Sequence, residues 1–488
     1  MSAPFTARLK RWLASIAIAT TSVLPLSPLL PAARGAAQIP PLRPLAYTRF
    51  ILPNGLTAIL NEDHSAPIAV VDVWFHVGSK DDKPGHTGMA HLCEHLSDLR
   101  APQLDQPFAT FYSSIGGTSP HFGATTEDIT HFYVAVPPNQ LETVLWAEGG
   151  RLAAPFTGID SAQLRAVIGV IARERESSVD AVPLAVYREL IVAAMFPASH
   201  PYHRTPLPPM PELNSTTVAD LRDACAPYYV VNNAVVSISG DIDAIRARGL
   251  VMRYFGHLPR GAVPPRPAAP AVTLRAEQRL VLEDRRVTVP RLAMAWPGAA
   301  FGASDRAALR AIAFALAAPR FGRISRLLVD ERKLAANVIV NNYDFEKGGV
   351  FEITVFPRPG ASMTTIESVI DSVVADLRTT RFTAREIERF NAYDRVASTA
   401  SLETRFARAD TLGQGQVFVG DPVAYARQSD AARTLTAVDL GRAARKYLTP
   451  GRVVMSMVPA GKLDLASKPD LPYHNVTPPS SVGSRAIP

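Results

Sequence analysis

The sequence contains very little cysteine: Cys93 and Cys225 are the only two among 488 residues. Small exported domains that depend on disulfides are much richer in cysteine, so a disulfide framework is excluded. Cys93 lies inside a short motif of histidine and glutamate, and Cys225 is far from it in sequence. We expect two unpaired, buried thiols, with no role for Cys93 beyond packing.

Long hydrophobic runs are also scarce, and the one that is present lies near the N-terminus. Three basic residues precede the run WLASIAIATTSVLPLSPLL, and the small-residue stretch AARGAA follows it. Residues 1–37 are therefore typical of a cleaved export signal, which predicts an exported, periplasmic protein. An uncleaved anchor is the alternative, but three prolines interrupt a span that needs about 20 apolar residues. We expect no stable membrane span after signal removal.

A large excess of positive charge is missing as well. Removal of residues 1–37 takes away four basic residues and no acidic ones, which leaves 47 basic against 44 acidic residues and lowers the net charge from +7 to +3. So small an excess does not form the basic surface that nucleic acids require, and we expect no nucleic-acid partner. Hydrophobic residues make up 47% of the chain, which indicates a globular protein.

The chain is too long for one hydrophobic core, because single cores stop growing at about 250 to 300 residues. The proline-rich stretch LPRGAVPPRPAAPAV (258–272) has the composition of an extended linker. Strand-like and helical patterns alternate before it. We therefore predict an α+β fold with an N-terminal domain over 45–257, a C-terminal domain over 273–465 and a disordered tail over 466–488.

The two predicted domains resemble copies of one another. TVADLRDACAPYYVVNNAVVSIS (217–239) aligns without a gap onto TAVDLGRAARKYLTPGRVVMSMV (436–458), at a constant offset of 219 residues. Each copy has the pattern of a helix followed by a strand. Chance similarity between amphipathic helices is the alternative. Duplication of a half of about 220 residues explains the chain length as well.

The stretch HTGMAHLCEHLSDLR (86–100) holds three of the 11 histidines. On a helix of about 3.6 residues per turn, His91, Glu94 and His95 share one face, and three leucines form a separate apolar stripe. A catalytic zinc site takes three protein ligands, and neutral imidazoles are among the commonest. We therefore expect His91 and His95 to hold one zinc ion per chain, with Glu94 as general base. The alternative is a solvated helix that carries these residues by chance.

The order His-x-x-Glu-His is the inverzincin signature. The stretch GSKDDKPGHTGMAHLCEHL closely resembles that of the pitrilysin-type zinc metallopeptidases, which include insulin-degrading enzyme and mitochondrial processing peptidase. LPNGLTAIL, HPYHRTPL and YYVVNNAVVSISGDI also resemble landmarks of this family. The resemblance implies a zinc metalloendopeptidase or oligopeptidase. It also implies two homologous α/β-layer domains that close like a clam around a peptide chamber.

The family takes its third zinc ligand from a glutamate on a later helix. The matching helix here is SAQLRAVIGVIARERESSVD (161–180), which offers Glu174 and Glu176. Glu174 continues the apolar face of Ile171, three residues earlier, whereas Glu176 points away from it. We therefore assign Glu174 as the third ligand. The alternative is that Glu174 pairs with a neighbouring arginine on a solvated surface.

Peptide binding in this family resembles strand addition, in which an extended substrate pairs with a sheet edge near the zinc. The family usually has Asn-Ala where this chain has Phe-Gly, within the matching segment GGTSPHFGATTEDITHF (116–132). His121 and His131 in this segment are expected to be loop and strand residues rather than ligands. The expected substrate-binding residues are Phe122, Gly123, Ala124 and Thr125.

The second half of these enzymes ordinarily supplies an arginine and, seven residues later, a tyrosine that hold the substrate carbonyl. In the matching stretch SRLLVDERKLAANVIV (325–340), Val329 and Ala336 occupy these places, and neither Arg332 nor Tyr343 fits the spacing. We therefore expect dimerisation with a homologous zinc-less subunit that supplies the missing pair, although a homodimer is also compatible with the sequence. The alternative is a non-hydrolytic, zinc-stabilised peptide-binding or scaffold subunit.

Overall fold

The computed structural model describes residues 40–99, 101–119, 122–379 and 381–476. The predicted export signal, His121 and the end of the predicted tail lie outside the described residues. Within the described part of the chain, no helix combines the length and the apolar character that crossing a bilayer requires.

The described residues form strands and helices in a mixed order. The strands are β1 (Thr48–Ile51), β2 (Thr57–Glu62), β3 (Ala69–Phe75), β4 (Gly123–Thr125), β5 (Thr130–Val136), β6 (Ala234–Gly240), β7 (Gln278–Asp284), β8 (Arg291–Pro297), β9 (Ala335–Asp344), β10 (Gly349–Pro357), β11 (Val453–Pro459) and β12 (His474–Val476). The α-helices are α1 (Met89–Leu99), α2 (Phe108–Ser114), α3 (Leu141–Ala153), α4 (Ser161–Arg175), α5 (Tyr187–Met195), α6 (Met210–Asn214), α7 (Val218–Ala224), α8 (Ala244–Phe255), α9 (Arg306–Ala317), α10 (Arg323–Ser325), α11 (Met363–Thr379), α12 (Ala384–Ala400), α13 (Arg405–Val419), α14 (Ala424–Arg433) and α15 (Ala437–Tyr447).

Two six-stranded sheets organise the chain, one in each half. The first has the strand order β1-β2-β6-β3-β5-β4 and the second has the order β12-β7-β11-β8-β10-β9. In the first sheet, β6 pairs in parallel with β2 and antiparallel with β3. In the second sheet, β11 pairs in the same way with β7 and β8. The shared topology confirms the predicted α+β fold of two homologous domains.

The segments that repeat in sequence occupy equivalent places in the two halves. Thr217 and Thr436 cap α7 and α15, and each hydroxyl accepts a hydrogen bond from the backbone N–H of the aspartate three residues later. That aspartate, Asp220 or Asp439, accepts a hydrogen bond from the threonine N–H in return, which completes a capping box. Each helix then leads to an inner strand, β6 or β11. The predicted helix and strand of each copy are therefore present.

Each sheet is covered on one face by helices of its own half and on the other face by a helix of the opposite half. In the first sheet, Val71 points into a core that α1, α3 and α8 complete. On the other face, Trp74 packs in one buried cluster with Leu412 of α13. Reciprocally, Ile191 of α5 packs in one buried cluster with Met455 of the second sheet. This exchange of helices joins the two halves through apolar contacts.

The first part of the predicted tail is folded. Ala466 and Ser467 are buried, and β12 pairs in parallel with β7, so residues 466–476 belong to the second domain rather than to a disordered segment. The polar composition of this stretch gives no sign of this pairing. Without β12, β7 would be an unpaired edge of the sheet, and β12 covers that edge.

The two cysteines form a disulfide, and the prediction of two unpaired thiols was wrong. Cys93 on α1 and Cys225 at the end of α7 are both buried, and their Cα atoms lie 5.7 Å apart. The two residues are separated by 132 positions in sequence, and only the packing of α7 against α1 brings them together. A count of cysteines excludes a framework of many bridges but does not exclude a single one.

Candidate metal centre

The helix α1 presents the histidine motif beside the core of the first half. Leu92 and Leu96 are fully buried, whereas His91 and His95 lie on a different face and are partly exposed. The start of the helix is held by Asp82, whose carboxylate accepts hydrogen bonds from the backbone N–H groups of Gly88 and Ala90. These bonds satisfy donors that the first helical turn leaves without helical partners.

Three potential ligand atoms converge at this face. The Nε2 atoms of His91 and His95 lie 3.1 Å apart, and Oε2 of Glu174 on α4 lies 3.5 Å from the first and 3.3 Å from the second. A tetrahedral zinc ion with bonds of about 2.0 to 2.2 Å separates its ligand atoms by about 3.3 Å. The donor set and its spacing therefore fit one zinc ion, with a fourth position left for water or substrate.

Glu174 reaches the histidines because its neighbours fix the end of α4. Ile171 is fully buried, and so is Arg175, which forms an ion pair with Glu189 at 2.9 Å. Arg175 also donates a hydrogen bond to the carbonyl of Leu207 at 2.6 Å. Glu176 is exposed at the start of a π-helical turn. The geometry thus brings Glu174, and not Glu176, to the two imidazoles.

The side chain of Glu94, on α1, is buried against β4. Its Oε2 accepts a hydrogen bond of 2.6 Å from the hydroxyl of Thr125. A Cβ atom on residue 123 would stand 3.0 Å from Oε1 of Glu94, so Gly123 leaves the room that the carboxylate occupies. Burial raises the pKa of Glu94 above its ordinary value. The carboxylate is therefore held in place beside the two histidines.

The histidines differ in their electrostatic surroundings. Burial and the neighbouring His95 lower the pKa of His91 to about 4, so this ring is neutral at neutral pH, as a metal ligand must be. Burial opposes charging of His95 too, but the carboxylates of Glu174 and Glu94 outweigh it and raise the pKa of His95. The face therefore attracts positive charge.

The strand β4 forms the edge of the first sheet next to Glu94. It pairs antiparallel with β5, and Ala124 stands opposite His131, which is a strand residue as expected. Phe122 has a φ of 61°, a left-handed conformation that asparagine adopts more readily than phenylalanine. Its ring stacks on Tyr112 in the core. Of the predicted substrate-binding residues, Gly123, Ala124 and Thr125 form the edge, while the Phe122 side chain serves packing.

Val329 and Ala336, in the second half, occupy the positions at which the family resemblance implies an arginine and a tyrosine. Val329 packs against the second core and Ala336 is exposed on β9, and neither side chain carries a hydrogen-bond donor. Tyr343 lines a cavity of about 690 Å³ between the halves, and the guanidinium of Arg188 lies 4.0 Å from the centre of its ring. Arg332 is exposed.

Two contacts of this region gave no signal in the sequence. One is the hydrogen bond from the hydroxyl of Thr125 to Glu94. The other is the buried ion pair of Arg175 with Glu189, since Arg175 was expected only as a possible surface partner of Glu174. Both contacts join positions far apart in the chain. Spacing within one helix cannot reveal them.

Comparisons with known proteins place both halves in one family. Residues 57–196 match the family described as insulinase (peptidase family M16), and residues 215–391 match the peptidase M16 inactive domain. Zinc protease PqqE from Helicobacter pylori is 24% identical over 367 residues, which cover 72% of this chain and 79% of that protein. Mitochondrial-processing peptidase subunit beta from Blastocladiella emersonii is 27% identical over 259 residues, which cover 52% and 53% of the two proteins.

Solved structures share the fold. A protease from Helicobacter pylori has a TM-score of 0.77 at 21% identity, covering 86% of this chain and 100% of that one. The periplasmic protease PqqL from Escherichia coli has a TM-score of 0.69 at 16% identity, covering 86% of this chain and 48% of that one. The two family matches and the common fold of two domains lead to one conclusion: this chain belongs to peptidase family M16.

Proposed function

We propose that this chain is the zinc-bearing subunit of a peptidase that hydrolyses peptides or oligopeptides. The observation that carries the proposal is the triangle formed by His91, His95 and Glu174, with edges of 3.1 to 3.5 Å, beside the buried carboxylate of Glu94. Relatives named zinc proteases support the same assignment. The three ligands hold one zinc ion, and Glu94 is the general base.

Glu94 and Thr125 have separate roles in the proposed hydrolysis. Bound zinc would supply the electrophile that polarises water and the substrate carbonyl. Glu94 takes a proton from the attacking water and passes it to the leaving nitrogen. The hydroxyl of Thr125 binds Oε2, which fixes the carboxylate and leaves Oε1 to carry the proton. Burial raises the pKa of Glu94, and the carboxylate therefore accepts the proton from the attacking water more readily.

The substrate is an extended peptide that pairs with β4. The edge strand presents the backbone of Gly123, Ala124 and Thr125 next to Glu94, so main-chain hydrogen bonds would place a peptide bond near the metal ligands. Such pairing depends little on side chains. The expected substrates are therefore extended peptides as a class, without a preferred amino-acid sequence.

A homologous partner completes the site. Oxyanion donors are each worth about 3 to 4 kcal/mol in the transition state, and Val329 and Ala336 provide none. A zinc-less homologous subunit would supply an arginine and a tyrosine; a second copy of this chain would carry the same valine and alanine. The relative named subunit beta supports a paired arrangement. The periplasmic relative PqqL supports an exported, periplasmic location.

The alternative function is a zinc-stabilised peptide-binding or scaffold subunit without hydrolysis. The absence of donors at Val329 and Ala336 favours it, whereas the buried Glu94 favours the peptidase, because a scaffold has no use for a base.

Peptide hydrolysis by the purified, zinc-loaded chain tests the proposal, with a mixed peptide library as substrate and Glu94→Gln as the blank. We expect cleavage no higher than the blank for the chain alone, and cleavage above it once the partner is added. Cleavage by the chain alone would refute the need for a partner. Equal cleavage by Glu94→Gln would refute the role of Glu94.

A further inference from the structure

A second group of potential metal ligands lies where the first sheet meets α13. Asp72 is on β3 and His131 is on β5, and the register pairs Trp74 with His131 and Asp72 with Tyr133. Asp72 and His131 are therefore diagonal neighbours on the sheet face that α13 covers. Asp410 reaches the same place from α13, so ligands from both halves of the chain meet at one point.

The potential ligand atoms of this group lie close together. Oδ1 of Asp72 lies 3.1 Å from Nδ1 of His131, and Oδ1 of Asp410 lies 3.9 Å from the same nitrogen. One ligand atom from each residue lies within 4.8 Å of the others. The two distances to Nδ1 of His131 lie on either side of the separation of about 3.3 Å that a tetrahedral zinc ion imposes on its ligand atoms.

Asp72 supplies an independent indication of a missing partner. It is fully buried, and its second carboxylate oxygen, Oδ2, has no hydrogen-bond partner within the described part of the protein. A buried polar atom without a partner destabilises the folded chain, and more so when it is charged. A cation bound between Asp72, His131 and Asp410 would remove this cost.

The three groups also bind protons at one another's expense. Burial and the neighbouring carboxylate of Asp72 raise the pKa of Asp410 to about 7, and His131 opposes the rise. Burial opposes charging of His131, but the carboxylates of Asp72, Asp410 and Glu94 outweigh it and raise its pKa. A divalent cation would take the place of the protons that these groups otherwise bind.

We propose that Asp72, His131 and Asp410 bind a second divalent cation, which joins the first sheet to α13 of the opposite half. One imidazole nitrogen and two carboxylate oxygens suit Zn²⁺, and the site shares no ligand with the centre formed by α1 and α4. His131 and Asp410 both line the cavity between the halves, so the ion can enter from there. The proposal adds a second ion to the one that the sequence predicts and makes His131 a ligand, contrary to the expectation that this strand residue binds no metal.

The test measures bound zinc in the full chain by metal analysis after stripping, reloading and gel filtration. The double variant His91→Ala/His95→Ala removes the first centre. We expect two zinc ions for the wild type and one for this double variant. Adding Asp410→Asn to it lowers the zinc affinity of the remaining site more than tenfold. Asp410 is suited to substitution because 36% of its side chain is exposed.

Two further variants make the result specific. His64→Ala is the matched control, because His64 forms a similar contact with Asp241 at 2.7 Å, yet 66% of its side chain is exposed; it leaves the zinc content unchanged. Asp410→Asn in the otherwise wild-type chain retains one zinc at His91 and His95. Loss of the second zinc in this variant, with the first retained, concerns the second site alone. Loss of the zinc at His91 and His95 would concern the proposed function.

The thermal unfolding midpoint of His91→Ala/His95→Ala gives a second readout. We expect zinc to raise it, because an ion held by both halves binds only the folded chain, and we expect Asp410→Asn to abolish the rise. A double variant that is folded by circular dichroism and binds no zinc overturns the proposal. Zinc binding that survives Asp410→Asn with unchanged affinity, or that is lost in His64→Ala, overturns it too.

Discussion

At the scale of single residues, the proposed metal centre depends on neighbours of His91, His95 and Glu174. Thr125 holds one oxygen of Glu94, and the buried Arg175 fixes the helix end from which Glu174 extends. Hydrogen bonds of this kind orient the groups that do the chemistry, and their loss typically costs about 10- to 100-fold in metal affinity or activity.

Thr125→Val tests the role of the hydroxyl. Valine has nearly the same shape but cannot donate to Glu94, so we expect turnover to fall about 10- to 100-fold with zinc content unchanged. Steady-state kinetics of the active complex and metal analysis measure the two effects. An unchanged turnover number would show that Glu94 keeps its position without the hydroxyl.

Glu174→Ala and Glu176→Ala form a matched pair two residues apart. Only Glu174 lies within 3.5 Å of both imidazoles, so its loss leaves two ligands and lowers zinc occupancy after dialysis. Glu176 is exposed, and its removal leaves zinc occupancy as in the wild type. The assignment fails if dialysis removes zinc from Glu176→Ala and not from Glu174→Ala.

At the scale of elements, covalent and ionic links fix the positions of helices. The disulfide between Cys93 and Cys225 joins α1, which carries His91 and His95, to the end of α7. In the second half, Glu367 on α11 is fully buried and accepts hydrogen bonds from Arg279 of β7 at 2.7 Å and from Ser467 at 2.5 Å, and it forms an ion pair with Lys468 at 2.7 Å.

Reduction of the disulfide should destabilise the first half. A crosslink that closes a long loop restricts the unfolded chain, and its removal typically costs about 2 to 5 kcal/mol in free energy of unfolding. Urea unfolding of the wild type with and without reductant measures the loss. Cys93→Ala/Cys225→Ala, which has no bridge to reduce, is the control and should not respond to reductant. Equal stability of the oxidised and reduced wild type would contradict the prediction.

Glu367 should make stability depend on pH. Burial opposes its charging, but hydrogen bonds from Arg279, Lys468 and Ser467 outweigh burial and lower the pKa from 4.5 to about 2. Since the pKa is lower in the folded chain, this contribution is complete above about pH 5 and is lost as the pH falls towards 2.

Glu367→Gln removes one partner of this buried network. We expect a loss of about 3 to 5 kcal/mol in free energy of unfolding near neutral pH, and a weaker dependence on pH between 5 and 2. Glu331→Gln is the matched control, because Glu331 pairs with Arg326 at 2.7 Å on the surface and should cost less than about 1 kcal/mol. Chemical unfolding across this pH range measures both. Similar losses in the two variants would contradict the role of burial.

At the scale of the whole molecule, the sequence predicts the duplication but not the exchange of helices. The repeated pattern around Thr217 and Thr436 predicts a local structure, a helix followed by a strand, and both copies have it. The histidine motif is local too, since one helical turn brings His91 and His95 together. Contacts between distant residues leave no periodicity in the sequence. The packing of α13 on the first sheet, the disulfide and the meeting of Asp72 with Asp410 are contacts of this kind.

The most direct test of the central proposal is peptide cleavage by the zinc-loaded chain mixed with a homologous zinc-less subunit from the same organism. The wild type and Glu94→Gln are compared at equal zinc content and equal complex formation. We predict cleavage by the complex that contains the wild type and none by the complex that contains Glu94→Gln. A stable, zinc-loaded wild-type complex that cleaves no peptide, or a Glu94→Gln complex that cleaves as well as the wild type, would contradict it.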